Sequence, residues 1–286
     1  MRCDCHVHIV GAHNSYPQLA GRTFLAAPAR LDELQARAAT RMISRFVIVQ
    51  PSFYGTDNTV LLESLDQLGG NGRGVAVIDP TTATAETLAD FSARGVRGLR
   101  INLYSRLGDD APLAQRLAPA ADCAHAARWH VEVIAATAVL ADNVELLLRA
   151  DVPIVIDHYG LHGNTSPNSI QGRRLLELLG EPQVWTKLSA PYRSSEDPLD
   201  TQPNTAWLEA ILAVAPDRCV WGSDWPHTPP HRSHLGPEVA LAYRELSYPA
   251  LVDDFLSAVG SPQCAERIMR DNPKRLYDFP DMPRRL

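Results

Sequence analysis

Phe46-Val47-Ile48-Val49-Gln50, the segment Thr59–Leu68, and Gly74-Val75-Ala76-Val77-Ile78 form a strand–helix–strand unit. The two short runs are apolar throughout, without alternating polar positions, as parallel strands buried on both faces require. Between them, Thr59–Leu68 repeats its apolar residues at helical spacing. Working outward, the same unit recurs. Further strand runs are Asp4–Ile9, Val96–Ile101, His130–Ile134, Pro153–Ile156, Val184–Leu188 and Cys219–Gly222, which makes eight. Helical segments alternate with them at Leu31–Ala39, Thr84–Arg94, Leu113–Arg128, Ala138–Arg149, Ser169–Leu179 and Thr205–Ala215. Pro237–Glu245, Tyr248–Ala258 and Ala265–Met269 read as closing helices. Eight βα alternations without a low-complexity linker predict an α/β fold, a single-domain (β/α)8 TIM barrel over 1–286 with 281–286 as a loose tail. A doubly wound sheet would carry a Gly-rich phosphate loop after its first strand, and Gly11-Ala12-His13-Asn14 is no such loop.

Composition narrows the function. At 286 residues, 45% hydrophobic and 21% charged, the chain reads as a globular protein with an ample core. A net charge of −6 and a pI of 5.9 argue against a nucleic-acid partner, which would need a basic surface. No apolar run approaches a membrane span, and the N-terminal residues lack a signal-peptide pattern. Five scattered cysteines (Cys3, Cys5, Cys123, Cys219, Cys264) do not suggest a disulfide framework, and a cytoplasmic location is expected. Oligomeric state is not legible.

A barrel of this kind places its active site at the C-terminal ends of the strands. The first strand carries His6 and His8, which point the same way because side chains alternate along a strand. The second is followed by Ser52 and Tyr54, and the fourth carries Arg100 with Arg106 beyond it. The sixth ends in Asp157-His158-Tyr159, the seventh runs through Lys187-Leu188-Ser189 to Tyr192 and Arg193, and the eighth ends in Asp224 and His227. Taken singly, Asp224 could be a helix N-cap, His158 a core histidine, and Arg106 and Arg193 solvated loop residues. Arg100, inside an apolar strand, must face the barrel mouth or a carboxylate, since burying it unpaired is too costly. Converging on one point, the set favours chemistry.

Asp4-x-His6-x-His8, Asp157-His158, Gly222-Ser223-Asp224-Trp225-Pro226-His227 and Asn272-Pro273-x-Arg275-Leu276-Tyr277 resemble the amidohydrolase superfamily, essentially end to end. More narrowly, Gln50-x-Ser52-x-x-Gly55-Thr56-Asp57-Asn58, Arg97-Gly98-x-Arg100-x-Asn102 and Arg106-Leu107-x-Asp109-Asp110-Ala111-Pro112 are similar to the 2-pyrone-4,6-dicarboxylate lactonase family. The resemblance implies a hydrolase that opens a small anionic lactone, pyrone-dicarboxylate-like or muconolactone-like, in bacterial breakdown of aromatic compounds. It implies Asp224 as general base for water, and His6, His8 and His158 as polarisers of the ring carbonyl and stabilisers of the oxyanion. Ser52, Tyr54, Arg100, Arg106, Tyr159, Arg193 and His227 are the candidate substrate-binding residues, the arginines as carboxylate clamps.

Superfamily metal sites add a histidine ending strand five, where this chain has Ile134-Ala135-Ala136. A binuclear centre is therefore not expected. One zinc on His6, His8 and Asp224, with His158, stays open. The metal-free reading is preferred, since the resembling lactonases work without metal. Ile134 also replaces a substrate-contacting tyrosine of that family, and Leu161-His162 stands where it has an arginine, so a substrate with fewer acid groups, or with one replaced by a sulfonate or other substituent, is expected. Alternatives of the same superfamily are a zinc-dependent decarboxylase of an aromatic or unsaturated acid and a lactone isomerase. A metabolite-binding barrel is the non-enzymatic alternative.

Overall fold

The computed structural model describes residues 1–105, 111–229 and 236–281. Eight parallel strands form one sheet in chain order: β1 (Arg2–Val7), β2 (Ile43–Val49), β3 (Gly72–Ala76), β4 (Val96–Asn102), β5 (His130–Ile134), β6 (Ile154–Ile156), β7 (Val184–Ser189) and β8 (Cys219–Gly222). Each neighbouring pair is parallel, for example Phe46 beside Gly72 and Arg100 beside Glu132. The barrel closes between its first and last strands just beyond both: Val7 bridges Trp225, and His8 N–H donates to the Trp225 carbonyl at 2.7 Å. This is the expected (β/α)8 architecture, with strand boundaries within three residues of those read in the sequence.

The strands are buried nearly throughout, and helices between them cover the outside with Leu- and Ala-rich faces such as Leu61, Leu65 and Leu68. Fully burying one such leucine stabilises by roughly 1.5–3 kcal/mol, so the helical shell supplies much of what offsets chain ordering. Two helical expectations are corrected. Ala138–Arg149 breaks at Asn143 into Thr137–Asp142 and Val144–Leu148. Pro237–Glu245 forms no helix: Ala240–Leu241 pairs in parallel with Leu25–Ala26, leaving Gly236 at φ 87° and Pro237 before an extended segment. Their apolar spacing was too short to outweigh a Gly-Pro start. The last predicted helix is longer and irregular, Pro262–Glu266 running through a π-helical turn, Arg267–Asp271, into Asn272–Leu276.

The chain end seals the pole opposite the strand C-termini. Arg73 donates to the carbonyls of Tyr277 and Asp278, and Arg45 to that of Pro280, both guanidiniums stacking on Phe279. Access to the barrel interior is thus confined to the other end. Asp281 is exposed and pairs with Lys274, while the rest of the expected tail lies outside the described residues. Among the described residues no helix is long and apolar enough to cross a membrane.

Candidate active site

His6, in β1, projects into the barrel, and His8 follows just past the strand end. Asp4, two residues before His6, is also fully buried, but its role is structural. Its Oδ1 accepts from the Ser223 and His6 amides at 2.9 and 3.3 Å, and its Oδ2 from the Tyr248 hydroxyl at 2.9 Å. This carboxylate ties β1 to the loop after β8 and to the helix Tyr248–Val259. Burial raises Asp4 to about 6 despite these donors. On the other side of the seam, Asp224 adopts a left-handed backbone, φ 61°, while its N–H donates to the His6 carbonyl at 2.8 Å. His158, Tyr159, Ala190 and His227 share positive φ at the same end of the barrel. Each such residue costs of order 1 kcal/mol, a strain that recurs where side chains must be re-aimed for function.

The two oxygens of Asp224 have different surroundings. Oδ2 accepts from the Tyr192 hydroxyl at 2.6 Å and from Arg193 Nε at 2.7 Å, and Arg193 Nη2 also holds Thr228. Among the described residues Oδ1 has no hydrogen-bond partner, and it stands 3.6 Å from His6 Nε2 and 3.5 Å from His8 Nε2. Burial would raise the Asp224 carboxyl, but the Arg193 guanidinium and neighbouring histidines hold it well below the usual carboxylate range. It is a carboxylate at neutral pH. His8 Nδ1 lies 2.7 Å from the Val49 carbonyl, which can only accept, so the proton is on Nδ1 and Nε2 offers a lone pair. His158 Nδ1 meets the Ser189 hydroxyl at 2.8 Å, its Nε2 has no hydrogen-bond partner among the described residues, and its ring is 4.5 Å from that of His6. Burial lowers His6 and His8 and brings His158 to about 3 and His227 to about 4, so these imidazoles are neutral at pH 7.

Above this cluster opens a small pocket, walled by His8, Ser52, Arg100, Asn102 and Arg193 and, on the apolar side, by Phe24, Phe53 and Ile134. Arg100 is buried, its Nη1 held by the Gln50 carbonyl at 3.0 Å. Ser52 Oγ meets Asn102 Nδ2 at 2.9 Å and Ser105 Oγ at 2.7 Å. The structure therefore gathers His6, His8, His158 and Asp224 at one point, with Ser52, Arg100 and Arg193 around the opening.

Other candidates fall elsewhere. Tyr54 turns its buried hydroxyl to the Gly11 amide at 3.1 Å and buttresses the loop after β1. Tyr159 packs into the hydrophobic core, and His227 is buried behind Tyr192, their rings 6.1 Å apart; neither lines the pocket. Arg193, expected as a clamp, spends Nε and Nη2 on Asp224 and Thr228. Arg106 lies outside the described residues.

Sequence reasoning passed over a buried ionic group beneath the histidines. Glu132 in β5, Asp157 after β6 and Lys187 in β7 are all fully buried. Lys187 Nζ pairs with Glu132, lies 3.1 Å from His6 Nδ1 and 3.6 Å from Asp157 Oδ1. The signal was present: a charged residue inside an apolar strand needs a buried partner, the argument already applied to Arg100. His130, by contrast, lies towards the sealed pole, its ring 5.5 Å from Tyr277, as its place at the start of the strand predicts.

Among the described residues two donor sets are close enough for an ion, His6–His8–Asp224 and His6–Asp157–His158, each with ligand atoms within 4.8 Å of one another. The first has the ligand types and spacing of a single three-ligand ion, which would supply Lewis-acid polarisation of a carbonyl, provided that the His6 nitrogen facing Asp224 carries no proton. The second has the Lys187 ammonium against its Asp157 and His6 atoms and does not fit one.

The amidohydrolase family model matches residues 3–279. The chain belongs to the amidohydrolase family. Among curated relatives of this amidohydrolase, the 2-pyrone-4,6-dicarboxylate hydrolase of Comamonas testosteroni is 29% identical, over 96% of this chain and 89% of that protein. The 4-sulfomuconolactone hydrolase of Rhizobium radiobacter is 27% identical, again over 96% of this chain and 89% of that protein. A Pseudomonas putida crystal structure, provisionally named a 2-pyrone-4,6-dicarboxylic acid hydrolase, superposes with a TM-score of 0.81 at 29% identity, covering 98% of both chains.

Proposed function

We propose that this amidohydrolase hydrolyses a small anionic lactone, as its relatives' names indicate for them, in the breakdown of aromatic compounds. The observation that carries the reading is the bare Oδ1 of Asp224, a buried carboxylate oxygen without a hydrogen bond, flanked by two imidazoles beneath a pocket holding an arginine. Water seated there donates to Asp224 Oδ1 and to the lone pair of His8 Nε2. His8 thus acts as an acceptor, not the expected carbonyl polariser, because Val49 takes its only proton. The water attacks the ring carbonyl, its proton passing to Asp224. Ser189 can donate to His158 Nδ1, which leaves Nε2–H of His158, with His6 beside it, to stabilise the oxyanion. As the intermediate collapses, the C–O ring bond breaks and Asp224 returns its proton to the ring oxygen. Arg100 holds a substrate carboxylate, and Ser52, fixed by Asn102, adds a hydrogen bond.

The metal-free form of this reaction is the one proposed. Arg193 and Tyr192 already neutralise and occupy Oδ2 of Asp224, and Arg100 adds a second cation at the opening. A pH-stat screen tests the function with 2-pyrone-4,6-dicarboxylate, 4-sulfomuconolactone and a monocarboxylate muconolactone. Proton release accompanying ring opening is expected for at least one of them. Ring migration without proton release, or decarboxylation, would overturn it. Stoichiometric zinc in purified active protein would overturn the metal-free form.

A further inference from the structure

Among the barrel-interior groups that the proposed chemistry does not use is the ammonium of Lys187. It is 0% exposed and faces three groups from three other parts of the barrel: Glu132 and Asp157 Oδ1, the latter at 3.6 Å, as ion-pair partners, and His6 Nδ1, its hydrogen-bond partner at 3.1 Å. An ammonium has three donors and no acceptor, so a contact with an imidazole nitrogen is a hydrogen bond only if that nitrogen carries no proton. The competing partner for His6 Nδ1 is Asp157 Oδ1 at 3.3 Å, yet neither Asp157 oxygen has a hydrogen bond of acceptable geometry. The His6 proton therefore belongs on Nε2, the atom facing Asp224 Oδ1 at 3.6 Å. A metal ligand needs that lone pair free, whereas a hydrogen-bond donor needs it protonated.

We propose that Lys187 is a built-in cation that makes His6 a hydrogen-bond donor of the site instead of a metal ligand, and that closes the Asp157 position to a divalent ion. Charge bookkeeping agrees. Glu132 and Asp157 are two fully buried carboxyls, a pair that elsewhere would demand a metal. Lys187 is the cation placed against both. An arginine would not serve equally, because a flat fork cannot face three groups converging from three sides as a compact ammonium does. Lys187 is accordingly a positioning residue that acts through His6. This holds whichever lactone is the substrate.

Nitrogen NMR of wild-type protein with ¹⁵N-labelled histidine reads the tautomer directly, without turnover. Signals assigned by His6→Gln should show Nε2 protonated and Nδ1 bare. A proton on Nδ1 would overturn the proposal. The second arm measures metal uptake after incubation with Co²⁺ and gel filtration, compared among wild type, Lys187→Met and the doubly neutral Lys187→Met/Glu132→Gln. Wild type should retain no stoichiometric ion, and a folded variant should retain about one per chain, with the ligand-field absorption of His and carboxylate ligation. Equal retention by wild type and folded variants would overturn the exclusion. Should both variants fail to fold, the tautomer measurement decides. Neither arm depends on lactone hydrolysis, so failure of the functional reading is distinguishable from failure of this one.

Discussion

Asp224 and Arg100 show how much a residue's role depends on its neighbours. Asp224 is positioned by a strained backbone, anchored through one oxygen and left bare at the other. Asp224→Asn removes the proton acceptor without changing shape, and kcat/KM should fall by about 10²–10⁴ with an unchanged circular dichroism spectrum. Retention of more than a tenth of the rate would exclude it as base. Arg100 has one guanidinium nitrogen fixed by the Gln50 carbonyl and borders the pocket. Steady-state kinetics of Arg100→Met should show KM for an anionic lactone rising roughly tenfold or more, with kcat changed less, the pattern of a lost binding contact. An unaltered KM would contradict the clamp. At this scale the sequence supplied the residue types, but not the partner of each. Arg193 read as a clamp and is committed to Asp224, while Tyr54 read as a substrate contact and supports the Gly11 loop.

Among the elements, the seam between β1 and β8 deserves the closest reading because the site straddles it. Asp4 accepts from the Ser223 amide, and Gly222 approaches β1 so closely that a Cβ there would lie 2.7 Å from His6 Cβ and 2.8 Å from its nitrogen. Gly222→Ala should therefore push β1 outward, destabilise by about 1–3 kcal/mol and lower activity disproportionately, since His6 and Asp224 face each other across this seam. Urea melts set beside kinetics would check it, and wild-type activity in a destabilised variant would refute the coupling. The strands were legible because apolar runs are local signals. The Pro237–Glu245 segment was misread since its pairing partner, Leu25–Ala26, lies far away along the chain.

For the molecule as a whole, the buried titratable groups set the pH dependence of stability. Burial, and then the Lys187 charge, lowers His130 to about 3, and burial lowers His158 to about 3. The unfolded chain binds protons near 6.5 that these histidines cannot bind when folded, so their contribution is complete above 6.5 and is lost as pH falls towards 3. Glu132 and Asp4 act in the opposite sense. Raised to about 8 and about 6, they favour the folded state at low pH and lose that contribution as pH rises through those values. Stability should be greatest near about pH 6.5, where several histidines have deprotonated in the unfolded chain and Glu132 still holds its proton. His130→Leu removes one such group, whose ring nitrogens make no hydrogen bond among the described residues, and should flatten the acid limb by up to about 1.4 kcal/mol per pH unit. Denaturant midpoints between pH 4 and 8 measure this; an unchanged acid slope would show that His130 titrates normally.

By itself the sequence determined the alternation of apolar strands and amphipathic helices, hence the barrel, and the strand ends at which His6, His8, His158 and Asp224 gather. Those conclusions follow from periodicity and order along the chain, which are properties of neighbouring residues. Only the tertiary structure decided which oxygen of Asp224 is bare, where the His8 proton resides, that Arg193 holds Asp224, and that Lys187 stands among Glu132, Asp157 and His6. Each is a contact across a closed barrel, between positions such as Lys187 and His6 that are 181 residues apart. Strand order brings such residues to one level, but the few ångströms that separate a donor from a ligand arise only once the sheet has twisted, tilted and closed.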